Sequence, residues 1–341
     1  MSNRMDKLFS LGLRNTPLIL FVLVFVIFGI VSPSFFALQS LENAVKQASY
    51  VGIIAVGMTF VLLTGGIDLS VGSNMYVSTV VAGLLIQRFS VSVGTALVAC
   101  LLTGLLLGVI NSLLVVKFRI IPFVATLGTM VIGRGVGLML TRSRAVNFPD
   151  ALTKIGSAEM AGVPCPIVIF AVIVATAWVL LNRTTLGRQI YAIGHSIEGA
   201  RKAGIHTERA QSTAYVLCGL FAALGGFISV AQLGNVNAGF GKGDEFDAIA
   251  AAVLAGAATL KGNGRSGMVC VLVPFALVLA TMWWEWVWPT QGWPVDLNLV
   301  ALTVMALAPT LAMMLRKTWS RRKHRSTNPR SVSSLTPGDF R

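Results

Sequence analysis

The chain has 341 residues, 55% of them hydrophobic and 12% charged, with a mean hydropathy of +0.77 and a formal net charge of +14. A soluble domain carries roughly 25% charged residues, so an ordinary water-soluble globule is excluded. Stretches such as Leu18–Val31, Ala96–Val116 and Ile167–Leu181 contain no Asp, Glu, Lys or Arg; about 20 apolar residues cross the hydrocarbon layer as a helix, whereas a closed barrel needs short alternating strands.

The apolar pattern predicts helical spans near residues 17–32, 45–64, 69–87, 93–116, 121–140, 164–181, 211–232, 247–260, 267–287 and 297–315. The first follows Arg4, Lys7 and Arg14, as a secretory leader would. Its length, the lack of an A-x-A-like cleavage site and the similar spans after it make it a retained helix.

Between the second and third spans lies Gly57-Met-Thr-Phe-Val-Leu-Leu-Thr64-Gly65-Gly66-Ile-Asp68-Leu-Ser70-Val-Gly72. Paired glycines allow the helix to break, and Asp68 or Ser70 can accept backbone N–H bonds at the start of the next one. In a membrane such a break is tolerated only inside protein or beside a water-filled cavity. It reads either as a capped turn between two spans or as a broken helix lining a solute path.

Further on, Gly104-x-x-x-Gly108, Gly133-x-x-x-Gly137 and the small residues Gly219, Ala222, Ala223, Gly225 and Gly226 have the spacing of close helix contacts, because lipid supplies no hydrophobic drive for helices to associate. Arg134, alone within a span, is expected to be held by packing and backbone carbonyls. The cysteines Cys100, Cys165, Cys218 and Cys270 form no C-x-x-C pair and read as packing residues, so neither a disulfide framework nor a metal site is suggested.

The segment 182–210 is a polar insertion. Ser196 can cap a short helix there, with Glu198 near its positive end and Gly204 at its termination. The next apolar run, from Asp247 to Leu260, is about 21 Å long as a helix and suits a half-helix better than a full crossing. Asp247 is then expected to cap it. Trp283, Trp284, Trp286 and Trp288 suit an interfacial anchoring belt.

With both termini inside, 20 of the 27 Lys and Arg residues fall on the cytoplasmic side, eight of them from Arg316 onward, in keeping with the positive-inside bias. The basic run Arg316–Arg325 next to the last span attracts anionic lipid, so the positive charge points to the membrane and not to nucleic acid. Residues 1–315 thus read as a membrane domain and 316–341 as a basic, disordered cytoplasmic tail.

Three segments resemble the permease subunits of the ribose, xylose, arabinose and galactoside class of bacterial ABC importers: Gly57–Ser73, Gly187–Ile205 and Gly243-Asp-Glu245-Phe-Asp247-Ala-Ile-Ala-Ala-Ala-Val-Leu-Ala-Gly256. Weaker similarity, including Pro122-Phe-Val-Ala-Thr-Leu-Gly128 and Arg134-Gly135, covers nearly the whole chain. The resemblance implies an all-α, polytopic fold of about ten transmembrane helices, of the type II, vitamin-importer-like kind, in a bacterial cytoplasmic membrane. It further implies a second permease, identical or homologous, two ATP-binding-cassette ATPase domains that hold ATP and magnesium, and a periplasmic or extracellular sugar-binding protein; this chain itself would bind no cofactor.

By the same resemblance the short helix around Ser196, Glu198, Gly199, Ala200, Gly204 and Ile205 is the coupling helix that docks on the ATPase. Thr64, Gly65, Gly66, Asp68, Ser70, Glu245 and Asp247 are candidates for the translocation pathway. Arg142 and Arg144, in an outer loop, are candidates for pairing with acids of the binding protein, or are ordinary solvated loop charges. The chain departs from the family where a glycine-rich run is usual: here it reads Leu260-Lys261-Gly262-Asn263-Gly264-Arg265. The expected cargo is a pentose or hexose, with a sugar-like signal molecule or nucleoside as the alternative.

Two rival classes fit less well. A gradient-driven carrier calls for ionisable groups deep in its spans, and few besides Arg134 and Glu285 occur there. An intramembrane protease lacks its base, since His195, His206 and His324 all fall in cytoplasmic segments and no H-E-x-x-H is present. No G-x-x-x-x-G-K-[ST] run occurs either, so this chain is not expected to bind ATP by that route.

Overall fold

The computed structural model describes residue 26, residues 38–160 and residues 162–256. The spans expected near 17–32, 267–287 and 297–315, the tryptophan belt and the basic tail lie outside the described residues. Within them the chain is mostly helical.

Helix α1 runs Leu38–Leu63, α2 Val71–Phe89 and α3 Val93–Ser112, the last passing into a π-helical turn, Leu113–Lys117. Next come α4 (Pro122–Thr141), the short α5 (Asp150–Ser157), α6 (Cys165–Arg183), α7 (Thr185–His195), α8 (Ile197–Lys202), α9 (Thr207–Leu233) and α10 (Asp244–Gly256). Two-residue strands tie the loops: β1 (Val146–Asn147) pairs antiparallel with β4 (Asn235–Val236), and β2 (Glu159–Met160) with β3 (Val163–Pro164). Among the described residues, five helical segments are long and apolar enough to cross a membrane: Glu42–Leu63, Val93–Lys117, Pro122–Thr141, Cys165–Arg183 and Thr207–Leu233.

The second helix is not among the five, and its composition explains why. It carries Ser73, Asn74, Ser78 and Thr79, all buried, and is enclosed by protein: α3, α4 and α9 pack along it. A helix that faces protein on all sides does not need a lipid-facing apolar stripe. Thr79 returns its hydroxyl proton to the Met75 carbonyl one turn back, and Ser78 donates to Asn74 Oδ1 at 2.8 Å. A buried hydroxyl without such a partner would cost free energy.

Small residues bring α3 and α9 together, as their spacing predicts. A Cβ on Gly104 would strike Ala223 and the Gly219 carbonyl, one on Gly219 would strike the Gly104 carbonyl and Gly108, and one on Gly108 would stand 2.7 Å from the Tyr215 carbonyl. These contacts pair 104 with 219 and 223, and 108 with 215, so the two helices run antiparallel with backbone nearly against backbone. Asn74 of α2 donates to the carbonyls of both Gly104 (3.3 Å) and Gly219 (3.2 Å), and Cys100 Sγ reaches the Ala223 carbonyl. A single amide thus pins α2 to the seam between α3 and α9.

The contrast with exposed glycines gives a test. Gly219→Ala must force the seam apart, so it should lower stability by about 1–3 kcal/mol, the usual cost of overpacking. Gly128→Ala and Gly135→Ala, where an added Cβ meets nothing within 4 Å, should be neutral or slightly stabilising, since alanine is the better helix former. Thermal unfolding of the detergent-solubilised variants, followed by tryptophan fluorescence, checks the order; equal midpoints for all three would contradict it.

Candidate translocation and coupling sites

The break after α1 is closed by local geometry. Gly66 N–H donates to the Val61 carbonyl (3.1 Å) and Gly65 N–H to Leu62 (3.0 Å), with Gly65 at φ +80°. This is the Schellman ending, which requires a left-handed residue just past the helix. Thr64 adds a side-chain bond from its hydroxyl to the Val61 carbonyl at 2.8 Å. The two glycines therefore terminate α1 fully.

Beyond the turn, Asp68 is 1% exposed. Its Oδ1 accepts from the Ser70 amide (2.9 Å) and from the Ser70 hydroxyl (2.7 Å). Asn111 of α3 donates to Ser70 Oγ at 2.7 Å and to both Asp68 oxygens at 3.2 and 3.3 Å. Thr129 of α4 completes the chain by donating to Asn111 Oδ1 at 2.7 Å. The carboxylate thus caps a turn, as one of the two sequence readings held, but Ser70 makes no side-chain cap on α2; its hydroxyl is engaged with Asp68 and Asn111. What results is a closed network joining α2, α3 and α4.

A second cluster stands at the other side of the first turn of α2. The Arg134 guanidinium donates to the carbonyls of Phe240 and Gly241 and lies over the Tyr76 ring, 5.6 Å from its centroid. Backbone carbonyls were the expected partners of this lone cation, and they come from the loop that leads into α10. That helix begins at Asp244, three residues before the predicted start, so Asp247 lies inside its first turn and does not cap it. Glu245 is 5% exposed and its Oε2 has no hydrogen-bond partner. A Cβ on Gly72 would overlap both Glu245 Oε2 and the Gly241 carbonyl.

The structure therefore brings the two separate stretches of pathway candidates together: Glu245 touches Gly72, two residues from Ser70. Sequence reasoning missed Asn111 and Thr129 as members of this region, and gave Gly72 no role beyond its place in the Gly57–Ser73 segment. Asn111 could have been found as the lone amide of an apolar span, since polar groups there require a partner; Thr129 carries no such signal. Among the described residues, no three His, Cys, Asp or Glu side chains are grouped to hold a metal ion.

The segment between α6 and α9 has the predicted capped helix and one more. Thr184 accepts from the Gly187 amide to start α7, and Ser196 accepts from the Gly199 amide at 3.1 Å to start α8. Gly204, at φ +80°, closes α8 by a second Schellman ending: its N–H donates to Arg201 and that of Ile205 to Ala200, both at 3.0 Å. Glu198 and Gly199 are exposed, while Ala200 is buried with Ile193 and Ala210, and Ile205 packs on them. Helix α9 starts at Thr207, so the last residues of the 182–210 segment are already helical. Arg142 and Arg144 are exposed beside β1.

The network around Asp68 is cooperative, and its energetics should show it. Asn111→Leu removes donors to a buried carboxylate and should cost about 1–3 kcal/mol. Combining it with Asp68→Ala should cost clearly less than the two single changes together. Chemical or thermal unfolding of the four proteins in detergent measures the cycle; additive losses would mean that the two residues do not share a network.

A family described as "Branched-chain amino acid transport system / permease component" matches residues 40–309. The ribose import permease protein of Escherichia coli is 38% identical over 258 residues, covering 74% of this chain and 80% of its own length. The galactofuranose transporter permease protein of the same species is 33% identical over 311 residues (88% and 89%), and the autoinducer 2 import system permease protein is 33% identical over 338 residues (96% of each chain). No solved structure matches significantly.

Proposed function

The chain belongs to the permease family of ATP-binding-cassette importers, a multi-pass membrane protein of the branch that imports sugars, and we propose that it carries a monosaccharide handed over by an external binding protein. The observation that carries this reading is α8: a short helix closed at both ends, with Glu198 and Gly199 exposed and Ala200 anchored, between two spans. Such a helix can transmit a push because it does not fray.

In this mechanism two permease copies, or this chain and a homologue, pair in the cytoplasmic membrane. Two ATPase domains, holding ATP and magnesium, grip α8 of each permease. Their closure tilts α6, α7 and α9, which opens the path toward the docked solute. The complete fold has about ten helices of the type II arrangement, both termini cytoplasmic, with α10 a half-helix inside the membrane. Half-helix ends and unwound backbone are where carriers place solute contacts, which supports Thr64, Gly65, Gly66, Asp68, Ser70, Glu245 and Asp247 as pathway residues. Arg142 and Arg144, exposed in the outer loop, suit pairing with acids of the binding protein.

Relatives named for ribose, galactofuranose and autoinducer 2 favour a small hydroxylated solute over an amino acid. The ribose permeases are the more identical, which favours ribose. The full-length coverage of the autoinducer 2 permease supports a second reading, a sugar-like signal molecule. Competition of the other two solutes against labelled D-ribose uptake separates these readings.

The subunit reading is tested by gentle extraction of the tagged protein from its native membrane and mass spectrometry of the chains that come with it. An ATPase with a phosphate-binding loop is expected; its reproducible absence from an otherwise intact complex would favour a gradient-driven carrier. Glu198→Lys puts a cation at the positive end of α8 and should abolish solute-stimulated ATP hydrolysis while leaving membrane insertion normal. Unaltered stimulation in that variant would sink the assignment of α8.

A further inference from the structure

The turn between α1 and α2 is gripped from two directions by the segment that follows α6. On one side Gly194, in the last turn of α7, sets its backbone against the carbonyl oxygen of Leu63, so closely that an added Cβ would overlap that oxygen. Leu63 is the last residue of α1, and its carbonyl is one of those a helix leaves without an intrahelical donor. On the other side Tyr215 of α9, 1% exposed, aims its unpartnered hydroxyl at Gly66, where an added Cβ would stand 2.5 Å away.

The first grip is tied to α8 and to the base of α9. Ile193 of α7, Ala200 of α8 and Ala210 of α9 form a single apolar cluster, closed by Leu186, Ala192 and Ile205. A displacement of α8 therefore reaches Gly194 through Ile193 and reaches the base of α9 through Ala210. Packed interiors transmit displacement because they have low compressibility. What receives the push is a turn whose next residue, Asp68, is bonded to Ser70 and Asn111, with Thr129 bonded in turn to Asn111.

We infer that Gly194 is a positioning residue for coupling: through its contact with Leu63, and with Tyr215 as a second contact, the segment α7–α8 moves the Thr64–Asp68 turn and with it the polar network at the start of α2. The inference rests on α8 being the ATPase contact, and it adds the route from that contact to the pathway. Only glycine fits at 194, because any side chain would hold the two backbones apart.

Cysteine labelling in the purified complex tests the route without knowledge of the solute. Ile67→Cys, half-buried in the turn, is labelled with a maleimide in nucleotide-free complex and in complex trapped with magnesium, ATP and vanadate, and the modified peptide is quantified by mass spectrometry. A several-fold change in labelling rate between the two states is expected, and its loss in a Gly194→Val background that still retains the ATPase. An unchanged rate with native Gly194 overturns the inference whether or not the valine variant assembles. A nucleotide-dependent change of the same size in the valine variant overturns it as well. Glu198→Cys, labelled with and without the ATPase, keeps the premise separate: protection there with no response at residue 67 defeats the relay alone, whereas no protection defeats the coupling-helix reading and the relay together.

Discussion

One polar turn at the base of α2 supports the rest of the described structure. Within it, Ser70 links Asp68 to Asn111, Gly72 receives the loop held by Arg134, and Asn74 binds the carbonyls of Gly104 and Gly219. An apolar solvent offers no hydrogen bonds, so polar backbone and side chains in a membrane must be satisfied from within. Each helix around α2 supplies part of that satisfaction: α3 through Asn111 and Gly104, α4 through Thr129 and Arg134, and α9 through Gly219. The neighbours α3 and α4 turn their apolar faces outward, as Leu102 and Leu106 of α3 and Ile132 and Met139 of α4 do by their exposure.

Glycine has two different uses here, and they should not be confused. At Gly65 and Gly204 it supplies the left-handed backbone that ends a helix, and this fixes where α1 and α8 stop. At Gly104, Gly219, Gly72 and Gly194 the backbone is ordinary and the missing side chain is what matters, since each faces another backbone or a buried carboxylate. The first use sets local structure, the second the distance between elements. Together they make the turn after α1 both rigid in itself and closely touched from outside.

The membrane helices were legible because apolar run length is a strong signal, and the described ones fall where the runs predict. Their ends were less so. Helix α1 begins at Leu38 and α9 at Thr207, several residues before the apolar runs, because helix hydrogen bonding continues through polar residues that hydropathy counts as loop. Helix α7 went unseen for the same reason. The capping of α8 by Ser196 and Gly204 could be read in advance, as caps depend on near neighbours in sequence. Asn111, Thr129 and Gly72 could not be joined, since their meeting depends on how α2, α3, α4 and α10 cross, which no local pattern encodes. Arg134 was recognisable as a lone charge needing carbonyls, though not whose.

The balance of satisfied and unsatisfied atoms differs between the two clusters at the start of α2. Asp68, Ser70 and Asn111 have their polar groups engaged with one another, so breaking any one of these bonds leaves a buried polar group unsatisfied, at a cost set by burial. Glu245 Oε2 is different: it is buried beside Gly72 with its hydrogen-bonding capacity unused. Yet the space between Glu245 and Gly72 would not admit a single methyl group, and the Gly241 carbonyl that closes it is held by Arg134. The start of α10 is therefore seated on α2 from two sides, by the Glu245 side chain against Gly72 and by the loop carbonyls of Phe240 and Gly241 that Arg134 holds. A lone buried cation and a buried carboxylate thus fix the same short helix, the first through backbone carbonyls and the second through close contact with a glycine.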